Sequence, residues 1–213
     1  MATKKIYNLS GFGLRRGKKL GMGAAMKIAT LLGSPRKKGN TAKVLGWAEE
    51  ELRARGCEID RINIADHKVN GCKGCFICKR FTDEPGCPQK DDAVAIFGRM
   101  MSADALIYAT PLYCWDFPSQ MKALIDRHVC LVTGYATPEH KSLLEGKKTA
   151  LLVTCEDQIE NNADLVQTLF NRLNEFMKAE VTSKLVVPFC TIPDALSDDA
   201  HDAANELAIS LAG

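Results

Sequence analysis

The sequence lacks long apolar segments, and its charge shows almost no excess of either sign. Of its 213 residues 46% are hydrophobic, but no apolar run approaches the ~20 residues that a membrane-spanning helix needs. The formal net charge of +2 argues against nucleic acid as the main partner. The first 25 residues are basic and have no continuous apolar core of the kind found in secretory signals. We therefore expect a cytoplasmic protein that binds neither membranes nor nucleic acids.

The sequence also has few groups for acid–base chemistry and lacks two common nucleotide-binding patterns. Its four histidines are far apart and form no metal-ligand spacing. Gly39 is followed by Asn40, where a Walker loop would have Lys and Ser or Thr, and no Gly-x-Gly-x-x-Gly pattern follows the first apolar segment. These absences are consistent with chemistry that takes place on a cofactor rather than on side chains.

Cysteine, by contrast, is abundant. An odd total of nine without an export signal does not suggest a disulfide framework. Four cysteines lie within sixteen residues, with a Pro after the last, and this spacing is typical of 4Fe–4S ligation. Structural zinc usually uses two separated Cys-x-x-Cys pairs, so it fits less well but stays open, as do cysteines that bind no metal. The predicted metal ligands are Cys72, Cys75, Cys78 and Cys87.

The order of apolar patterns predicts an α/β fold. Predicted strands 27–32, 58–64, 105–109, 149–154 and 183–189 alternate with predicted helices 41–55, 91–101, 119–129, 163–177 and 198–211. Five such units predict a doubly wound, five-stranded parallel sheet of the flavodoxin-like kind, with strand order 2-1-3-4-5. A Cys-rich insert, residues 66–90, follows strand 2. We predict a domain over residues 26–213, preceded by a basic arm over residues 1–25.

The segment 33–41, Gly-Ser-Pro-Arg-Lys-Lys-Gly-Asn-Thr, lies between the first strand and the first helix. The free backbone N–H groups at the start of a helix bind anions, and this loop adds three basic residues and two hydroxyl groups. We therefore predict a phosphate site, the alternative being an ordinary polar loop in which Asn40 caps the helix. The candidate phosphate-binding residues are Ser34, Arg36, Lys37, Gly39, Asn40 and Thr41.

Two further loops follow strands at the same predicted edge of the sheet. Segment 110–118 is rich in aromatic residues and prolines, which suits the wall of a flat heteroaromatic ring, or else a subunit interface. Segment 154–162 is polar and acidic, which suits a ring edge or ribityl hydroxyls. A phosphate site beside an aromatic wall predicts FMN. The candidates from these loops are Pro111, Leu112, Tyr113, Cys114 and Trp115, and then Thr154, Cys155 and Asn161.

Three segments, 33–41, 110–113 and 120–127, strongly resemble the NADPH-dependent FMN reductase-like flavoproteins, and the cysteine spacing narrows the resemblance to the iron–sulfur flavoprotein branch. The resemblance covers residues 26 to about 187. It implies that the first loop binds the FMN phosphate and that the second lines the isoalloxazine.

The resemblance also implies an activity. We expect an FMN-dependent oxidoreductase that passes electrons from NAD(P)H or an iron–sulfur donor to a small acceptor: a quinone, a nitroaromatic, oxygen or a redox protein. It implies a 4Fe–4S cluster and assembly as a homodimer or homotetramer. The alternative is a non-enzymatic flavin and iron–sulfur electron carrier that partners ferredoxin.

Overall fold

The computed structural model describes residues 7–8, 25–134 and 137–213. Its centre is a parallel sheet of five strands. They run in the order β2-β1-β3-β4-β5, with Leu32 of β1 opposite Asn63 of β2 and Ala109 of β3. The predicted fold and strand order are therefore confirmed. The strands are β1 (Lys27–Leu32), β2 (Glu58–Asn63), β3 (Ala105–Pro111), β4 (Lys148–Thr154) and β5 (Glu180–Val187).

Helices cover both faces of this sheet. The helices α1 and α5 pack on one face, while α2, α3 and α4 lie on the other. Alternate residues of one strand enter opposite cores: Ile28 and Leu32 pack towards α1, whereas Leu31 packs towards α2. Because both faces are covered, the strands are continuous apolar runs. The helices are α1 (Asn40–Ala54), α2 (Ala93–Ser102), α3 (Ser119–Asp126), α4 (Asp164–Met177) and α5 (Asp198–Ala212).

Two predicted boundaries differ from the observed ones by three residues, and the others agree to within two residues. The fifth strand begins at Glu180, three residues before its predicted start, because the exposed Glu180 and the half-buried Thr182 interrupt the apolar pattern there. The third helix ends as an α-helix at Asp126 and continues as a 3₁₀ segment, Arg127–Leu131. This tighter segment carries Arg127 and His128, whose side chains are fully buried.

Short elements complete the described part of the chain. Tyr7–Asn8 pairs antiparallel with β5 at the sheet edge, and Val132–Thr133 pairs with Lys141–Ser142. Apart from residues 7, 8 and 25, the predicted basic arm lies outside the described residues, so the arm and the domain boundary stay predictions. The Cys-rich insert follows β2 and contains one 3₁₀ turn, Ile77–Arg80. Within the described residues, no helix is both long and apolar enough to cross a membrane.

Candidate functional site

The loops that follow β1, β3, β4 and β5 surround a cavity of about 360 Å³. It lies at the carboxyl ends of the strands, where the winding direction of the sheet reverses and where doubly wound proteins bind ligands. The three loops singled out in the sequence all reach it. The predicted cofactor-binding residues that line the cavity are Ser34, Arg36, Gly39, Asn40, Thr41, Pro111, Leu112, Tyr113, Thr154 and Cys155.

The start of α1 forms the anion-binding end of this cavity. Gly39 occupies the N-cap position, no side chain caps the helix, and its first turn has no acidic residue. The first backbone N–H groups of α1 are therefore open to a ligand. Ser34, nearly fully buried, accepts a hydrogen bond from the backbone N–H of Arg36 at 3.1 Å, which shapes the loop in front of the helix.

Asn40 is not the helix cap, because Gly39 occupies that position. The alternative prediction, an ordinary polar loop in which Asn40 caps the helix, is therefore wrong. Its Nδ2 donates to the carbonyl of Thr191 at 3.3 Å, which ties the first loop to the loop after β5. Its Oδ1 is buried and has no hydrogen-bond partner among the described residues. The hydroxyl of Thr41 lies 2.7 Å from that of Thr154 and joins the first loop to the third. An unpartnered amide oxygen in this cavity suits a ligand rich in hydroxyl groups.

The basic residues of the first loop separate in the structure. Arg36 lines the cavity. Lys37 instead points to Asp66, just after β2, with its Nζ 2.6 Å from the carboxylate, and it does not line the cavity. The structure therefore brings Arg36, but not Lys37, to the predicted phosphate site.

The second loop contributes a shorter wall than the sequence predicts. The backbones of Tyr113 and Asp116 pair through hydrogen bonds of 3.0 and 3.1 Å. The two residues between them, Cys114 and Trp115, have positive φ angles of 49° and 64°, the geometry of a two-residue type I′ turn. This turn exposes both side chains outside the cavity. Pro111, Leu112 and Tyr113 form the wall.

The third loop brings Thr154 and Cys155 to the cavity but not Asn161. Asn161 has a positive φ of 57° and an exposed side chain, and its neighbour Asn162 lines the cavity instead. Burial, together with the nearby Cys190 and Asp157, raises the pKa of Cys155 to about 12. Cys155 is therefore a neutral thiol at physiological pH and packs as a small apolar group.

Sequence reasoning missed one side of the cavity. The loop that follows β5 was missed entirely, and the third loop was predicted as a segment without these lining residues being named as candidates. The strand order contained the signal, because β5 lies beside β4 and its carboxyl-terminal loop must meet the third loop. These residues are Glu156, Asp157, Asn162, Cys190, Thr191 and Pro193.

The four cysteines predicted as metal ligands line a second cavity, of about 210 Å³. Cys72 and Cys75 are exposed, Cys87 is half-buried and Cys78 is buried. A fifth thiol, Cys130, reaches the same cavity from the 3₁₀ segment after α3. In the part of the chain that the structure describes, no three cysteine, histidine or acidic side chains are arranged to hold a single metal ion.

Arg127, which forms part of the wall of this thiol-lined cavity, belongs to a buried ion pair. Nη1 of Arg127 lies 2.6 and 2.5 Å from the two carboxylate oxygens of Asp91, and both side chains are at most 1% exposed. Burial alone would raise the pKa of Asp91. The hydrogen bonds from Arg127 and from the backbone N–H groups of Asn70 and Ala93 outweigh this and keep the pKa below its usual value.

The fold and the first cavity together define a class. A sheet of this strand order, with an anion site at its first turn and an apolar wall beside it, is that of the flavodoxin-like proteins. The sequence model of NADPH-dependent FMN reductase matches residues 26–191. The chain is 31% identical to an iron-sulfur flavoprotein of Archaeoglobus fulgidus, across 88% of this chain and 79% of that one. The chain therefore belongs to the NADPH-dependent FMN reductase family, within the branch of the iron-sulfur flavoproteins.

A second relative agrees with this assignment, and a solved structure agrees with the fold. An iron-sulfur flavoprotein of Methanosarcina thermophila is 42% identical over 106 residues, which are 50% of this chain and 54% of that protein. The chain thus spans about half the length of that relative. An NAD(P)H:quinone oxidoreductase structure from Methanothermobacter marburgensis superposes with a TM-score of 0.63 at 22% identity, covering 87% of this chain and 93% of that one. At this identity the likeness supports the fold alone.

Proposed function

We propose that the protein is an FMN-dependent oxidoreductase that passes electrons from NAD(P)H or an iron–sulfur donor to a small acceptor. The observation that carries this proposal is the uncapped start of α1, which opens into a cavity with an apolar wall at the reversal of the sheet. An anion site and an apolar wall a few residues apart fit the two ends of FMN. The absence of a histidine–carboxylate dyad in the sequence of the three loops is consistent with chemistry on the flavin.

The chain's own residues divide the work of holding FMN. Ser34, Arg36 and the first N–H groups of α1 would hold the phosphate. Asn40 would pair its free amide oxygen with a ribityl hydroxyl. Leu112 and Tyr113 would form the apolar wall against the ring. When bound, FMN supplies hydride transfer and single-electron transfer in one group.

We further propose that the thiol-lined cavity holds a 4Fe–4S cluster through Cys72, Cys75, Cys78 and Cys87. The fit is supported by Arg127, whose Nε and Nη2 are buried without a hydrogen-bond partner among the described residues. These N–H groups could donate to an anionic group in the cavity, and thiolates that bind a cluster would be such a group. The name of the Archaeoglobus fulgidus relative, an iron-sulfur flavoprotein, supports the same proposal. A zinc ion remains the competing occupant.

Partners belong to the same proposal. NADH or NADPH would reduce the protein directly, and a ferredoxin would be the donor if electrons enter one at a time through the thiol-lined cavity. The acceptor would be a small molecule or redox protein. Assembly as a homodimer or homotetramer is proposed from the resemblance, and the molecular mass in solution tests it.

The test is a spectrum of anaerobically purified protein, combined with iron and zinc analysis. Flavin absorption together with iron is the expected result. Flavin absorption with zinc, or with neither metal, would overturn the cluster and leave the flavin proposal standing. Failure to bind added FMN would overturn the central proposal. Fast oxidation of NAD(P)H with a quinone would favour the enzyme, whereas slow oxidation with fast ferredoxin exchange would favour the electron carrier.

A further inference from the structure

Among the residues that the structure describes, the side chain of Arg127 is the largest that is fully buried, and its hydrogen-bonding groups are only partly paired. Its Nη1 makes the ion pair with Asp91 and lies 3.4 Å from the carbonyl of Asn70. Its Nε and Nη2 are buried, and in the described part of the chain no oxygen or nitrogen atom accepts a hydrogen bond from either of them. Leaving a buried donor unpaired destabilises a protein, and more so when the donor is charged, so such groups are usually matched to an acceptor.

The acceptor must come from the thiol-lined cavity. Arg127 forms part of its wall, together with Cys78, Cys87 and Cys130. The thiol of Cys87 lies close enough to interact with the guanidinium. Neutral thiols are weak acceptors, whereas thiolates and sulfides bound to iron are strong ones. The two free N–H groups therefore match the cavity in its metal-loaded form.

We propose that Arg127 is a positioning residue that donates hydrogen bonds from Nε and Nη2 to the sulfur atoms on the Cys87 side of the cluster and thereby raises the cluster's reduction potential. This inference rests on the proposed function, because it requires the cluster. Asp91 has the complementary role: both of its carboxylate oxygens accept from Nη1 of Arg127, which holds this end of the guanidinium in place and offsets part of its charge.

The direction of the effect follows from charge. Reduction by one electron adds one negative charge at the cluster. A nearby cation with N–H groups aimed at sulfur stabilises that reduced state more than the oxidised one. Removing the donors should lower the potential. Removing the carboxylate of Asp91, which opposes the cation, should raise it.

The decisive experiment is an anaerobic redox titration of Arg127→Lys, with dithionite as reductant and the optical and electron paramagnetic resonance signals of the cluster as readouts. Lysine keeps a charge beside Asp91 but loses the planar guanidinium and its two extra donors. We expect the equilibrium constant for reduction to fall roughly tenfold, which is about 59 mV for a one-electron couple. Iron content and FMN content per chain should stay close to those of the wild type.

Arg99→Lys is the control, since Arg99 also makes an arginine–aspartate ion pair, with Asp60, at a half-exposed position away from the cavity. Its potential should equal that of the wild type. If Arg127→Lys lacks the cluster, Asp91→Asn replaces it, with a higher potential expected.

Each outcome bears on the proposal. An unchanged potential in iron-loaded Arg127→Lys would overturn the role of Arg127 and leave the cluster intact. A shift of equal size in Arg99→Lys would also overturn it, because the effect would then be general. Wild-type protein that takes up no iron would instead overturn the proposed cluster and, with it, this inference.

Discussion

Replacing Arg36 by alanine should weaken FMN binding through the phosphate alone. Arg36 lines the first cavity, whereas its neighbour Lys37 is drawn away to Asp66. A hydrogen bond to a charged group contributes about 1.5–3 kcal/mol. Because Arg36 is exposed, we take the lower end of this range, and 1.4 kcal/mol is tenfold. We therefore expect about a tenfold higher Kd for FMN in Arg36→Ala.

The assay is a titration of the apoprotein followed by quenching of flavin fluorescence, with FMN and with riboflavin in parallel. Riboflavin has no phosphate, so its Kd should be the same in Arg36→Ala and in the wild type. Lys37→Ala is the matched control and should leave the Kd for FMN and the Kd for riboflavin almost unchanged. Lys37 does not line the cavity, and its exposed ion pair with Asp66 contributes only about 0–1 kcal/mol to stability.

Two results would refute the reasoning. Equal weakening of FMN and riboflavin would show that Arg36 supports the loop rather than the phosphate. Equal weakening of FMN by Lys37→Ala and Arg36→Ala would show that the loop acts through its overall charge. Measuring the Kd for FMN at higher salt concentration distinguishes this second case, because salt screens a diffuse charge effect more strongly than a direct contact.

Three further predictions concern the buried groups. In the core, the carbonyl of Leu124 accepts a hydrogen bond from Nδ1 of His128, so Nε2 carries no proton and accepts a hydrogen bond from the Tyr108 hydroxyl at 2.9 Å. Tyr108→Phe removes this donor and should lower the free energy of unfolding by about 1–3 kcal/mol, measured by denaturant titration. Burial lowers the pKa of His128 from 6.5 to about 4. Between these two pH values the unfolded chain is protonated at this residue and the folded protein is not, so the free energy of unfolding should fall by about 3 kcal/mol as the pH drops from above 6.5 to below 4. His128→Gln should lack that part of the pH dependence, and an unchanged slope would contradict the assignment. Iron per chain after anaerobic reconstitution should persist in Cys130→Ala and be lost in Cys78→Ala; loss in both would add Cys130 to the ligands.

Much of the fold could be predicted because its signals are local. The apolar run of β1, the helical spacing of α1 and the glycine at its end lie within about thirty residues of chain. Alternation of such units leaves few sheet topologies, which is why the strand order could be inferred. The boundaries that differed most, at the start of β5 and after α3, lie where polar or charged residues bond to partners distant in sequence: Thr182 to the carbonyl of Thr149, and Arg127 to Asp91.

Within the site, the sequence by itself determined the loop that opens α1, because backbone N–H groups at a helix start depend only on the local turn. Only the tertiary structure decided which basic side chain enters the cavity, that Cys114 and Trp115 turn outwards, and that the loop after β5 completes the wall.

The same holds for the thiol-lined cavity. The cysteine spacing is local and visible in the sequence, but Cys130 and the pair of Arg127 with Asp91 join segments 36 or more residues apart. A buried ion pair forms only where folding removes both groups from water together, and no local pattern encodes that. The sequence thus determined which chemical groups are present, and tertiary packing decided which of them face each other.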